Sequence, residues 1–166
     1  MLKKIKKFMI VAAAAVMLSA GFATVAPNEA HAAHWADKQM NWAFSNRIIT
    51  ADLRDSYATR QDAWLMITRA TRPLFLGGFE DARKSVVERG ISDGTRGTNW
   101  VTRNEMAAMI FNYTALDSNG WTPQGGFEEA IKWGRIYGYF DGTRGNDAAT
   151  RAEVVTMLYN KFRNNR

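Results

Sequence analysis

The chain has 166 residues, 46% of them hydrophobic, with 22 Lys and Arg against 16 Asp and Glu and no cysteine. That length and apolar content indicate one compact domain with a core. The missing thiol excludes disulfides, thiolate metal ligands and a cysteine nucleophile.

The first segment differs from the rest. Lys3, Lys4, Lys6 and Lys7 precede an apolar run from Phe8 to Leu18, followed by small residues and Ala30-His31-Ala32. A basic start, a short apolar middle and a small-x-small ending form the pattern of a secretory signal peptide over residues 1–32, with cleavage expected near Ala32–Ala33. The stretch from Phe8 to Ala26 is nearly long enough to span a bilayer, but the small-residue ending favours removal over a retained anchor. Residues 1–32 hold four Lys and one Glu. Residues 33–166 therefore carry 18 basic and 15 acidic side chains, a net +3 instead of +6. So modest a charge does not point to nucleic acid, whose binders concentrate basic residues on one face.

Residues 33–166 read as one domain built from three copies of a unit, about 34–71, 78–114 and 126–162. Each copy contains a Thr-Arg pair with an acid two residues after the Arg: "YATRQDAWLMI", "WVTRNEMAAMI" and "AATRAEVVTML". Repeats of this length mark architectures in which one unit cannot bury its own apolar face. The first helix of each unit is expected to stop at a left-handed residue followed by an apolar one, Gly90-Ile91 and Gly138-Tyr139 in the second and third units. Arg47 stands in that column in the first unit, and Asn46 is expected to take the role instead. A loop follows, "DGTRG" at 93–97 and 141–145, drifted to "ADLRDS" in the first unit. The second helix then shows apolar residues at i, i+3 and i+4: Ala63, Met66, Ile67; Met106, Met109, Ile110; Val154, Met157, Leu158. This spacing is one face of an α-helix. Turn-rich connections, "RPLFLGG" at 72–78 and "LDSNGWTPQGG" at 116–126, separate the units. The expected fold is all-α, three helix-loop-helix units packed as a pseudo-threefold spindle with grooves between neighbours.

Thr59, Thr102 and Thr150, with Asp62, Glu105 and Glu153 three residues on, form the Ser/Thr-x-x-acid capping box. Arg60, Arg103 and Arg151 are not explained by capping, because the first helical turn disfavours positive charge. Two reasons are open: a salt bridge to a neighbouring unit's acid, or binding of an anion at the helix start. By the dipole argument alone, Arg→Ala leaves stability unchanged or slightly raised. Asp93, Gly94 and Arg96, with Asp141, Gly142 and Arg144, read either as plain turns or as groove lining. Trp100, just before a Thr-Arg pair, is a candidate sugar platform, whereas Trp42 and Trp133 share a helix column and read as packing.

Taken together, "HWADKQMNWAFSNRIIT", "YFDGTRGNDAATRAEVVTMLYNKF" and the triplicated Thr-Arg phrase resemble the S-layer homology domain. The resemblance implies non-covalent anchoring at the bacterial cell surface. The ligand it implies is secondary cell-wall polysaccharide attached to peptidoglycan, of the pyruvylated N-acetylmannosamine type. It also implies that the motif arginines are ligand contacts, with the first-unit groove the weakest because its loop has drifted. On this reading Arg60, Arg103, Arg151, Trp100, Asp93, Gly94, Arg96, Asp141, Gly142 and Arg144 contact the glycan. A protein-interaction or structural module of the envelope is the alternative, and a small wall hydrolase a more distant one.

No enzyme chemistry is expected. His34 is the only histidine in residues 33–166, so a Ser-His-Asp site would require it. No zinc set or calcium-loop spacing is present, and no pair of carboxylates is marked as a glycosidase site. A monomer without cofactor or metal, with no membrane contact after signal cleavage, completes the expectation.

Overall fold

The computed structural model describes residues 33–115 and 126–163. Residues 1–32, read above as a signal peptide, and the connection carrying Trp121 lie outside the described residues. Among the described residues there are six α-helices and no strand: α1 Asp37–Ser45, α2 Arg60–Thr71, α3 Phe79–Glu88, α4 Arg103–Thr114, α5 Glu128–Ile136 and α6 Arg151–Phe162. The chain from His34 onward forms one compact unit. No described helix is long and apolar enough to cross a membrane.

Helices α1, α3 and α5 end in the same way. The N–H of Arg47, Gly90 and Gly138 bonds back to the carbonyl of Phe44, Val87 and Arg135, and the next N–H reaches Ala43, Val86 and Gly134. This is the Schellman stop, which needs a left-handed residue at its turn. Gly90 (φ 63°) and Gly138 (φ 71°) supply it. In the first unit the left-handed residue is Arg47 itself (φ 57°), not Asn46. The hydrogen-bond geometry is common to all three units, so the residue in the turn column must adopt it whatever its side chain.

The second helices α2, α4 and α6 bury the predicted stripes. Ala63, Met66, Ile67, Met106, Met109, Ile110, Val154, Met157 and Leu158 all lie in one apolar cluster with Met40, Ile48, Val86 and Ile91. Each large side chain there contributes about 1.5–3 kcal/mol by leaving water. The main helix–helix contacts that achieve this burial run between units. Helix α2 packs on α3 of the second unit, α4 on α5 of the third, and α6 returns to α1 of the first, while α6 also touches α2 and α4.

The same cyclic order appears in the backbone. The N–H of Ala58 donates to the carbonyl of Ala149, Ala149 to Val101, and Val101 to Ala58, each at 2.9 Å. These three residues are fully buried. Isolated antiparallel bridges pair Tyr57 with Thr150, Thr59 with Trp100 and Thr102 with Ala148. The three segments preceding the second helices thus close on one another, and the second helices all start from this ring.

Candidate functional site

Thr59, Thr102 and Thr150 each cap their helix, the hydroxyl accepting from the N–H of Asp62, Glu105 and Glu153 at 3.2 Å. Each acid reciprocates with one oxygen, which accepts the Thr backbone N–H at 2.9 Å. The other oxygen leaves the unit. Glu105 Oε1 accepts from Arg60 of the first unit at 2.7 Å, and Glu153 Oε1 from Arg103 of the second at 2.6 Å. Asp62 Oδ1 pairs with Arg151 of the third unit at 2.9 Å. One carboxylate therefore caps its own helix and receives the previous unit's arginine, three times around a closed circle. The recurring Thr-Arg-x-acid phrase encodes this double use.

The salt-bridge reading of the motif arginines is the one the fold realises. Arg60 is 4% exposed and Arg103 8%, and each makes further bonds to the loop of the following unit. Arg60 Nε donates to the Thr95 carbonyl (2.9 Å) and Nη2 to Asp93 (2.8 Å). Arg103 repeats this with the Thr143 carbonyl (3.1 Å) and Asp141 (2.9 Å). Arg151 faces the first unit's loop, which has Thr50 where the other two have Asp, and its buried Nε has no hydrogen-bond partner.

Two expectations are corrected here. The junction weakened by loop drift belongs to Arg151, not Arg60, because every arginine reaches forward to the next unit's loop. Arg→Ala is also expected to cost stability rather than leave it unchanged, because truncation leaves a largely buried carboxylate short of a partner, a larger effect than the helix dipole.

The loops are shaped for these bonds. Asp93 accepts the Thr95 N–H (3.0 Å) and Asp141 the Thr143 N–H (2.8 Å). Gly94 and Gly142 have positive φ, as do Arg96 (57°) and Arg144 (48°). Those two turns carry Arg96 to Glu105 (2.8 Å) and Arg144 to Glu153. Burial would raise the pKa of Asp93, Asp141 and Glu153. Hydrogen bonds from Thr95, Thr143 and Thr150 and the adjacent guanidinium groups outweigh it and hold all three below the usual carboxylate range.

The junction of the second and third units opens into a groove of about 640 Å³. Arg103, Asp141, Arg144 and Glu153 form its charged wall, while Trp35, Tyr139, Phe140 and Met157 supply an apolar one. Arg135 and Asn160 add polar edges. Tyr139 Oη and Thr156 Oγ1, both on this lining, are buried without a hydrogen-bond partner. Of the predicted site residues the groove gathers Arg103, Asp141 and Arg144, with Gly142 in the loop beneath. Arg60, Asp93, Gly94 and Arg96 occupy the matching places at the first junction, and Arg151 sits at the third. Trp100 is not part of the groove lining. Trp42 and Trp133 do pack, Trp42 edge-on to Tyr159 and Trp133 stacked on Tyr137.

Trp35, Arg135, Tyr139 and Phe140 were missed as groove residues. Trp35 comes from the start of the first unit, and only ring closure brings it to the third. The aromatic pair Tyr139-Phe140, where the second unit has Ile91-Ser92, was the available signal.

The fold and site define a class: an all-helical domain of three units joined head to tail through arginine–carboxylate pairs. Among known proteins the chain matches no family model and no curated protein.

Proposed function

We propose that this protein is a secreted bacterial wall-binding domain of the S-layer homology type, its three units arranged as a spindle and holding secondary cell-wall polysaccharide non-covalently. The observation that carries the reading is the groove between the second and third units, which combines aromatic walls with guanidinium groups. Sugar rings pack on aromatic faces, and an acidic substituent such as a pyruvate ketal suits a guanidinium fork. Arg144 and Arg135 are the exposed cations there: the Arg144 side chain is 56% exposed while pairing with Glu153 and Asp147, and Arg135 donates from Nε to the Asp141 carbonyl. Arg103 is already engaged by two carboxylates, so its role is to hold the wall of the groove as well as to add positive potential. The basic leader supports export, and no cofactor enters the reading.

Sedimentation with purified walls tests it. The protein should co-sediment with walls that retain their secondary polysaccharide and stay in solution after that polymer is extracted. Equal binding to stripped peptidoglycan, or binding to neither, refutes the polysaccharide assignment. Intact mass of the exported protein should lack residues 1–32; a species retaining Lys3 to Lys7 would refute cleavage.

A further inference from the structure

The connection between the first two units displays apolar side chains that the core does not use. Phe75 packs against the apolar cluster, and a turn from the Phe75 N–H to the Arg72 carbonyl (2.9 Å) fixes its approach. A Cβ at Gly77 would meet the Phe75 ring at 2.6 Å, so the glycine leaves room for that ring. With Phe75 anchored, the residues on either side stand out: Leu74 is 89% exposed and Leu76 93%. Both forgo the burial that leucine ordinarily obtains. The hollow there, about 350 Å³, is lined by five consecutive residues, Arg72 to Leu76. The loop is therefore a projecting tip, not a pocket walled by a second element.

Two arginines without an acid lie beside this tip. Arg72 Nη1 donates to Ser85 Oγ (3.4 Å) and Arg89 Nη1 to Thr71 Oγ1 (3.1 Å), so the pair crosses between the end of α2 and α3. Arg72 lies over the Phe75 ring at 5.8 Å and Arg89 over Tyr113 at 5.1 Å. Among the described residues neither meets a carboxylate within ion-pair distance, whereas Arg60, Arg103 and Arg151 all do. Each keeps most of its five N–H donors unused. The acids nearby are engaged: Glu80 pairs with Arg83, and Asp81 accepts the Gly78 N–H. From Arg69 to Arg89 five basic side chains stand against three acidic ones. The fold does not require the arginine pair. Trp133 and Tyr137 precede Gly138 where Ser85 and Arg89 precede Gly90, and those two rings simply stack.

We propose that this corner docks on an anionic lipid bilayer surface, Leu74 and Leu76 entering the acyl boundary while Arg72 and Arg89 take headgroup phosphates. A bilayer accepts projecting apolar side chains without a matching cavity, which a folded partner would have to supply. Positive charge left without an internal partner is complementary to an anionic headgroup layer, and apolar insertion adds to that attraction. No described helix crosses a membrane; the contact is peripheral, and it departs from the expectation of no membrane contact after signal cleavage. It does not depend on the groove, which lies at the junction of the second and third units.

Flotation of the exported protein with vesicles tests it. Binding should saturate on mixed phosphatidylglycerol–phosphatidylcholine vesicles, be absent on phosphatidylcholine alone, and weaken with added salt. Leu74→Ser/Leu76→Ser should reduce it to the phosphatidylcholine baseline. Arg72→Ala and Arg89→Ala should each weaken it about five-fold, the effect of one basic contact at an anionic surface. Lys132→Ala removes the same charge from α5 and should bind as the unaltered protein does. Leu74 and Leu76 are exposed, so an unchanged melting temperature shows that their variant is folded. Equal binding by the leucine variant overturns the proposal, because the contact then lies elsewhere in the chain, a retained leader included. Equal weakening by Lys132→Ala also overturns it, reducing the effect to net charge. So does an NMR response of the Arg72 and Arg89 Nε–H signals to inorganic phosphate without vesicle binding, which would mark a small-anion site. The two readings fail separately. Wall binding without vesicle binding refutes this inference alone, and vesicle binding without wall binding refutes the groove assignment alone.

Discussion

At the scale of single residues, the arginines and threonines of the repeated phrase should fail to different degrees. Arg60→Ala and Arg103→Ala each remove a buried guanidinium bonded to two carboxylates and a carbonyl. A loss of about 3 kcal/mol is expected, at the low end for a broken buried pair because Arg96 or Arg144 remains on the shared glutamate. Arg151→Ala should cost less, since that arginine makes one ion pair and leaves its Nε unbonded. Thr102→Ala and Thr150→Ala should each lose about 1 kcal/mol with the cap. Urea titrations of the five variants check the order. If Arg151→Ala proves the most damaging, the forward-reaching pairing is wrong. The carboxylates also set an acid limit. Asp93, Asp141 and Glu153 are held below their ordinary values of 3.8 and 4.5. The unfolded chain therefore takes up protons first as pH falls. Their contribution is fully present above those ordinary values and is lost as pH drops through and below them. Melting temperature should be flat in this respect near neutrality and decline below about pH 4.5. Arg103→Ala should flatten the decline, because Asp141 and Glu153 then lose a guanidinium partner.

At the scale of the element, the three Schellman stops make a comparison within one molecule. Gly90 and Gly138 adopt positive φ at little cost, whereas Arg47 places a Cβ in the same conformation, which is unfavourable by about 1 kcal/mol or more for a side chain. Arg47→Gly should raise stability by about 0.5–1 kcal/mol after the greater freedom of glycine in the unfolded chain is subtracted. Gly90→Ala and Gly138→Ala should lower it by a similar amount. Thermal melts of these variants decide it. A destabilised Arg47→Gly would mean that the arginine side chain contributes more than its backbone loses.

At the scale of the whole molecule, the head-to-tail contacts imply that no unit folds alone. Helix α2 needs α3, α4 needs α5, and α6 needs α1. Deleting residues 126–166 strips α4 of its partner, removes Glu153 from Arg103, and opens the ring at Ala58 and Val101. The shortened protein should lack a cooperative melting transition and show rapid amide exchange in α1 to α4. A sharp transition in it would show that two units suffice and that closure is not required. In the intact protein the three units should unfold together, in one transition shared by fluorescence and circular dichroism.

The elements, their apolar faces and their caps were legible in the sequence because each is a local pattern. Three-and-four spacing marks a helix face, Thr-x-x-acid marks a start, and Gly followed by an apolar residue marks a stop. Each is a relation among residues within a few positions of one another, and repetition in three copies made it readable. The partners of the arginines were not legible. Arg60 and Glu105 are 45 residues apart, and Arg103 and Glu153 are 50; nothing local says whether an arginine bonds within its own unit, to the next, or to a ligand. The same holds for Trp35, carried to the third unit's groove by ring closure, and for Trp100, whose ring lies against Tyr57 of the first unit. Local pattern determined where the helices lie and which faces they bury. The closure of three units upon one another decided which charges are satisfied inside the protein and which aromatic faces stay exposed. Burial, charge pairing and exposure depend on distances through space, and those exist only once the circle is complete.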